Sequence, residues 1–240
     1  MPLLTERHLL DLWERGLATS TLARAEALLS VASPEGESAD PAGLPIGERE
    51  RRLLRLRARL FGPRMNGLAA CPACGERHDI AFHVEDLLSG FSDRLPAPVT
   101  VQSGEWQVTA RPITCGDLRS AARAADSAAA LLALCVVAVR RGDTDADADD
   151  LPDDVRAAIG EALSAADPLA DLAVDLTCAA CAHTWSAPLD AAAWLWSELQ
   201  AWARRLLLDV HGLARAYGWS EDEVLKLSPW RRAAYLSMAG

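Results

Sequence analysis

The sequence lacks any apolar run of the roughly 18–20 residues that a membrane span requires, although half of its 240 residues are apolar. Acidic and basic side chains interrupt the apolar positions of residues 1–16, which is not the pattern of a signal peptide. We therefore expect a cytoplasmic protein with no membrane partner. In that compartment, its six cysteines indicate a metal site or free thiols rather than disulfides.

An excess of positive charge is also missing. The chain has 34 acidic against 24 basic side chains, a net charge of −10, and aspartates crowd residues 143–154. Proteins that bind nucleic acid through phosphates normally present a basic face, so we expect no nucleic-acid partner. In residues 51–60 arginines alternate with leucines, which predicts an amphipathic helix with a solvated arginine side; a phosphate-binding stripe and a protein-docking face are the alternatives. Lys226 is the only lysine, which hints at a GC-rich bacterial genome.

The motifs of common enzyme sites are missing as well. The sequence has no G-x-S-x-G, no P-loop and no G-x-G-x-x-G. His83 and Glu85 match the H-x-E half of the zinc deaminase signature, but Thr177 stands before Cys178 where that signature has proline. An exposed strand edge is the better interpretation of His83 and Glu85. We expect a protein that is not an enzyme.

Hydrophobic periodicity and capping residues predict a mainly helical chain with small β-hairpins, an α+β fold. Strand-like alternation surrounds three turns, at residues 68–85, 99–112 and 172–188. A loop is predicted over residues 33–43 and an acidic one over 142–150. The predicted helices cover residues 5–15, 20–29, 47–61, 116–140, 152–164, about 27 residues before Gly218, and two short segments that begin after Ser220 and Ser228.

Two Cys-x-x-Cys turns carry the clearest chemical signal. Each places two thiolates on a tight turn between alternating strands, and two such turns supply the four ligands of a tetrahedral structural zinc site. We therefore predict one structural Zn²⁺ per chain, bound by Cys71, Cys74, Cys178 and Cys181. Such a closed site leaves no position for a catalytic water.

Other interpretations of the cysteines and histidines stay open. The two turns are far more widely separated than the ~15–20 residues of a compact ribbon, so inert knuckles are one alternative, and a redox dithiol is another. His78 and His183 follow the two turns and either replace a thiolate or are exposed loop residues. Cys135 lies in an apolar run and is expected to be a buried small side chain.

The wide separation predicts a split zinc ribbon with an inserted middle subdomain. The expected domains are an N-terminal helical region, residues 1–66; the two halves of the ribbon, 67–90 and 172–188; an inserted hairpin-plus-helix subdomain, 91–171; and a C-terminal helical region with the long helix, 189–240.

The order of these features resembles a family of phage-type baseplate proteins, the base plate hub assembly components of T-even contractile phages and of phage-like contractile injection clusters. The segment GERERRLLRLRARLFGPRMNGLAACPACGE resembles the part that precedes that family's zinc knuckle. The tail from Trp202 resembles its C-terminus and shares the pattern Y-G-W-S…L-S-x-x-R-R-x-x-Y-L with small phage tail assembly proteins. The resemblance covers roughly residues 1–90 and 172–240.

This resemblance implies a structural or assembly role in the baseplate or tail of a phage-like contractile particle, without catalysis. It implies other baseplate or tail proteins as partners, and the same four cysteines as zinc ligands. The rival hypothesis is a cytoplasmic zinc-ribbon adaptor or regulator that binds nucleic acid. The tail signature that the family resemblance marks consists of Tyr217, Gly218, Trp219, Leu227, Arg231, Arg232, Tyr235 and Leu236.

The last two predicted helices are too short to be stable alone, so they must pack on something. Aromatic and arginine side chains are typical of interface hot spots, and we predict docking of this tail onto another particle component. The alternative is that its aromatics fold back onto the long helix, with Trp230 as an internal anchor. The predicted partner-binding residues are Trp219, Trp230, Arg231, Arg232 and Tyr235.

Overall fold

Side-chain caps fix the beginnings of several helices in the computed structural model, which describes residues 5–32 and 40–239. Thr5, Thr114 and Ser220 each accept a hydrogen bond from the third backbone amide of the helix that follows, which satisfies one of its free donors. The predicted loop over residues 33–43 falls partly outside the described residues.

The chain is α+β, as predicted, with more than half of its residues in helices and small antiparallel sheets between them. The helices are α1 Glu6–Leu17, α2 Thr21–Ala32, α3 Ile46–Phe61, α4 Val84–Ser89, α5 Cys115–Ala121, α6 Ser127–Cys135, α7 Asp153–Ala166, α8 Ala191–Tyr217, α9 Glu221–Leu225 and α10 Pro229–Ala239. The strands are β1 Arg64–Ala70, β2 Arg77–His83, β3 Val99–Ser103, β4 Trp106–Ala110, β5 Val136–Arg141, β6 Thr144–Asp145, β7 Ala173–Thr177 and β8 Thr184–Pro188.

The residues group into two compact units. Unit 1 comprises Met1–Val31 and Ala192–Gly240, and unit 2 comprises Ala32–Ala191. None of the helices in the described part of the chain is long and apolar enough to cross a bilayer.

Unit 1 is helical and has its own core. Leu10 of α1 packs with Ala203 and Leu206 of α8. Helix α1 extends beyond the predicted residues 5–15, so Gly16 lies within it, where a Cβ atom would come within 2.1 Å of the Trp196 ring. The glycine is needed for this close approach. The long helix α8 has the predicted 27 residues and ends at Gly218, which has a φ of 72°.

Unit 2 contains a four-stranded antiparallel sheet in the order β3-β4-β5-β6, with α7 packed against it. Its core is apolar and includes Trp106 and Val108 of β4, Val139 of β5 and Ile159 of α7.

The prediction of one helix over residues 116–140 is wrong. The structure divides this range into α5, α6 and the strand β5. Val136 and Val139 are β-branched, which favours a strand, and β5 supplies the third strand of the sheet by pairing with β4. An unbroken apolar run does not distinguish a buried helix from a buried strand.

The expected solvated arginine side of helix α3 is only partly present: Arg55 and Arg59 are exposed, but the other three arginines of residues 51–60 are not. The side chains of Arg51 and Arg52 are only 7% and 15% exposed, and both approach Glu48. Arg57 is buried and donates to the carbonyl oxygens of Gly62 and Arg64, at 2.6 and 2.7 Å. These arginines satisfy internal acceptors, and Arg57 fixes the chain where it enters β1.

Two buried carboxylates hold further segments of unit 2 together. Glu50 of α3 accepts a hydrogen bond from the backbone N–H of Ala191 at 2.9 Å, shortly after the end of β8. Asp167 accepts from the N–H of Gly47 at 2.9 Å and thereby satisfies a free donor in the first turn of α3. A Cβ atom at Gly47 would overlap that carboxylate.

Candidate metal centre

Two separate β-hairpins present the Cys-x-x-Cys turns. β1 pairs with β2 from Arg64↔His83 to Ala70↔Arg77, and β7 pairs with β8 from Ala173↔Pro188 to Thr177↔Thr184. On each strand, exposed residues alternate with half-buried or buried ones, the pattern of a hairpin with one covered face. A strand therefore leads into and out of each cysteine pair, as predicted.

The two turns have the same backbone geometry. The N–H of Cys71 donates to the Glu76 carbonyl oxygen at 2.8 Å, and the N–H of Gly75 donates back to the Cys71 carbonyl oxygen at 2.9 Å. In the second turn Cys178 donates to His183, and Ala182 donates to Cys178, both at 2.9 Å. The local repeat that is visible in the sequence is thus a structural repeat.

The repeat includes one unusual backbone conformation. Gly75 has a φ of 75° and Ala182 has a φ of 58°; Ala182 is the only non-glycine residue with positive φ in the described part of the chain. This left-handed conformation costs an L-residue about 1–2 kcal/mol. The second turn keeps it because it lets residue 182 donate back to Cys178.

The structure brings all four cysteines of the two turns together. Their Sγ atoms all lie within 4.8 Å of one another. Cys71 Sγ is 3.7 Å from Cys181 Sγ, and Cys74 Sγ is 3.6 Å from Cys178 Sγ. Residues that are more than a hundred positions apart in the sequence therefore form one cluster.

These distances fit a tetrahedral metal site. Four sulfurs at about 2.3 Å from a zinc ion lie about 3.8 Å from one another, close to the 3.7 and 3.6 Å of these two pairs and within the 4.8 Å that bounds the whole set. A disulfide requires an S–S bond of about 2.05 Å, and all six cysteines are free thiols. Four thiolates in a tetrahedral arrangement suit zinc and leave no open coordination position.

Hydrogen-bond donors surround the sulfur of Cys178. Burial raises its pKa, but the backbone amides of Cys181 and Ala180 and the ring of His78 outweigh this effect and lower the pKa to about 6. For Cys74 a backbone amide at Glu76 lowers the pKa, but the neighbouring thiols of Cys181 and Cys178 raise it to about 12. These opposite pKa shifts favour the thiolate form of Cys178 beside the protonated thiol of Cys74 at neutral pH.

His78 has a role that the sequence did not reveal. Its Nε2 atom is 3.2 Å from Cys178 Sγ, so it contacts a sulfur while all four cysteines keep their places in the cluster. It lies on β2 opposite Ala69 and belongs to the first hairpin, whereas Cys178 belongs to the second. Only the convergence of the two hairpins creates this contact, so the spacing of residues could not show it. His183 instead stacks on Trp185.

The remaining cysteines lie apart from this cluster. Cys115 and Cys135 are both fully buried, as expected of Cys135. Burial raises the pKa of Cys115, and burial together with the nearby Asp117 carboxylate raises that of Cys135 to about 11. Both thiols are therefore poor nucleophiles.

The deaminase-like pair does not form a single strand edge. His83 ends β2, whereas Glu85 lies in the first turn of α4. Neither belongs to the group of possible metal ligands found in residues 5–32 and 40–239.

The predicted partner-binding residues of the tail fall into two groups. Trp219 stacks on Tyr217, and Tyr235 packs edge-on against both rings. Arg232 is buried in a bidentate ion pair with Glu6 of α1, both contacts at 2.6 Å. These three side chains fold back within unit 1. Trp230 is 87% exposed, so the alternative interpretation of it as an internal anchor is wrong. Arg231 is also exposed.

Comparison with known protein families identifies the family of this chain. A family model described as "T4 bacteriophage base plate protein" matches residues 23–189, a range that contains both Cys-x-x-Cys turns and the whole of the sheet between them. The chain belongs to this phage baseplate family. The match ends before α8 and the two short C-terminal helices. No curated protein and no solved structure matches the chain significantly.

Proposed function

We propose that this chain is a structural or assembly component of the baseplate of a phage-like contractile particle, organised by one structural zinc and without catalytic activity. The observation that carries the proposal is the four-sulfur cluster inside the family-matched region. The ligands of the zinc would be Cys71, Cys74, Cys178 and Cys181, with His78 as a hydrogen-bond donor to Cys178.

The position of the cluster suggests what the metal does for the fold. The chain leaves the first turn at Gly75 and returns to the second turn at Thr177, and the sheet of unit 2 with its own core lies in between. Zinc would keep all four thiols ionised by its Lewis acidity, and the bound ion would link the two hairpins. The hairpins then form a split zinc ribbon, and residues 91–171 form an inserted subdomain.

Two observations support a non-catalytic role. The four cysteines fill a tetrahedral set, which leaves no ligand position for substrate or water. The two other thiols are buried with raised pKa values, so they are not activated nucleophiles.

Charge and exposure favour protein partners over nucleic acid. The net charge is −10, and Arg51, Arg52 and Arg57 of the locally basic helix are largely buried with internal partners. We propose that Trp230 and Arg231, the exposed members of the predicted tail set, contact another baseplate or tail protein. An exposed tryptophan beside an arginine is typical of an interface hot spot.

Particle assembly tests the functional proposal directly. In the bacterium that encodes this chain, deletion of its gene should abolish contractile particles with complete baseplates, as seen by negative-stain electron microscopy. The wild-type gene should restore them, and Cys178→Ser should not. Cys135→Ala is the control, since it removes a thiol outside the cluster and should restore assembly. Normal particles in the deletion strain would refute the baseplate role.

A further inference from the structure

Helix α6 is apolar on every side but lies mostly on the surface of unit 2. Twelve consecutive apolar residues, 128–139, run through it and into β5. A helix that is apolar all round is normally buried, but of the nine residues of α6 only Cys135 is buried. Leu134 is 40% exposed, and Val137 just beyond the helix is 63% exposed. Contiguous exposure of this kind marks an interaction surface.

A groove lies beside this helix. A cavity of about 400 Å³ separates α6 from α7, with Leu131 and Leu132 on one side and Gly160 and Leu163 on the other. We call it the α6–α7 groove. No atom lies within 4 Å of the place where a Cβ atom of Gly160 would stand, so the wall of the groove is open there. The apolar surface continues past the cavity to Leu134, which suits an elongated occupant rather than an enclosed small molecule.

The charges at the rim limit the choice of occupant. Asp171 lines the groove, and Glu161, next to Gly160 on α7, is exposed. Both are negative, and so is the chain as a whole. An occupant that carries basic residues beside its apolar ones therefore fits better than an acidic one.

A second copy of this chain does not fit the size of the surface. A helix of nine residues spans only about 14 Å, so α6 packed against another α6 would fall well short of the roughly 800 Å² per partner that a stable interface buries. The charges at the rim would also repel each other in such a pair.

We propose that the α6–α7 groove binds an amphipathic helix of another baseplate protein. Apolar side chains one turn apart on that helix enter between Leu132 and Leu163, and its flanking lysines or arginines face Glu161 and Asp171. This inference rests on the proposed function, because it names the kind of partner that a baseplate component meets at this surface.

Substitutions at Gly160 can test partner binding without a loss of folding stability. Gly160→Leu directs a side chain into the groove from a Cβ position that is open, and replacement of a helical glycine favours the helix. Gly160→Ala is the matched control, since it gives the same backbone benefit with little filling. Both purified variants should keep the wild-type melting temperature or exceed it. In the deletion strain Gly160→Ala should restore particle assembly, and Gly160→Leu should not.

Cross-linking then identifies the occupant. A photoreactive benzoylphenylalanine at Leu134 should form a cross-link to one segment of another baseplate protein in assembling particles, and the same probe at the exposed Gln107 of the sheet should not. A synthetic peptide of that segment should be a basic amphipathic helix. It should bind wild-type protein and Gly160→Ala alike, and Gly160→Leu at least about tenfold more weakly.

The outcomes separate the two proposals. If the deletion strain assembles normally, the baseplate role itself fails. If the wild type is required but Gly160→Leu restores assembly fully, the groove proposal fails and the baseplate role stands. A cross-link from Leu134 to a second copy of this chain, or to nucleic acid, would also overturn the groove proposal.

Discussion

The matched glycine and alanine of the two Cys-x-x-Cys turns allow a sharp test of the structural repeat. Ala182 occupies the left-handed conformation that Gly75 occupies in the first turn. An L-residue there costs about 1–2 kcal/mol, whereas the greater freedom of glycine in the unfolded chain costs about 0.4–1 kcal/mol. Ala182→Gly should therefore stabilise the protein by about 0.5–1 kcal/mol, the difference between these effects.

The reciprocal change should have the opposite sign. No atom lies within 4 Å of a Cβ atom placed at Gly75, so Gly75→Ala brings backbone strain without a clash. It should destabilise by about 0.5–1 kcal/mol, by the same reasoning. Gly90→Ala is the control: its φ is −82° and the space around it is also open, so this substitution should stabilise slightly.

Urea unfolding and thermal melting of zinc-loaded protein measure these differences. A change of 1 kcal/mol shifts the melting temperature of a chain of this size by about 2–4 °C. A destabilised Ala182→Gly variant would contradict a strained left-handed conformation in the second turn. Shifts of stability in the same direction by Gly75→Ala and Gly90→Ala would contradict it for the first turn.

Three further predictions address the fold and the rival function. Gly16→Ala should lower the free energy of unfolding by about 1–3 kcal/mol, because the new methyl group would overlap the Trp196 ring and overpack the core. Urea titrations measure this change, and an unchanged unfolding midpoint would contradict the packing. Burial raises the pKa of Asp117, but hydrogen bonds from Arg111 and Thr114 outweigh this effect and hold the pKa below its ordinary 3.8. The ionised carboxylate therefore stabilises the fold above about pH 4, and this stabilisation is lost as the pH falls further. The melting temperature of Asp117→Asn should accordingly lie below that of the wild type at pH 7, with a gap that narrows towards pH 3, and a gap independent of pH would count against the ion pair. Band-shift assays with duplex and single-stranded DNA at about 0.15 M salt should show no binding tighter than the micromolar range of non-specific contacts, and tight binding would favour a nucleic-acid adaptor.

The parts of the fold that the sequence predicted well depend on local chemistry. Thr5 and Ser220 begin helices because a hydroxyl can accept from a free backbone amide, and Gly218 ends α8 because its φ is positive. The Cys-x-x-Cys turns are equally local, since a tight turn between two strands explains both the alternation and the cysteines.

The parts that the sequence missed depend on distant partners. Val136 leaves α6 for a strand because β4 is available to pair with it, and nothing in the apolar run shows this. The sequence pattern assigns Arg57 to a solvated stripe, but in the structure it donates to the carbonyl oxygens of Gly62 and Arg64. The contact of His78 with Cys178 likewise exists only because two hairpins converge.

X-ray absorption at the zinc edge can identify the ligands of the proposed metal site. We expect about one zinc per chain after extensive dialysis, with four sulfur neighbours at about 2.3 Å. Cys178→Ser should lose the metal and melt at a lower temperature, because binding free energy at such a site is folding free energy. A first shell that contains nitrogen or oxygen, or a stably folded protein that binds no metal, would contradict the proposed site.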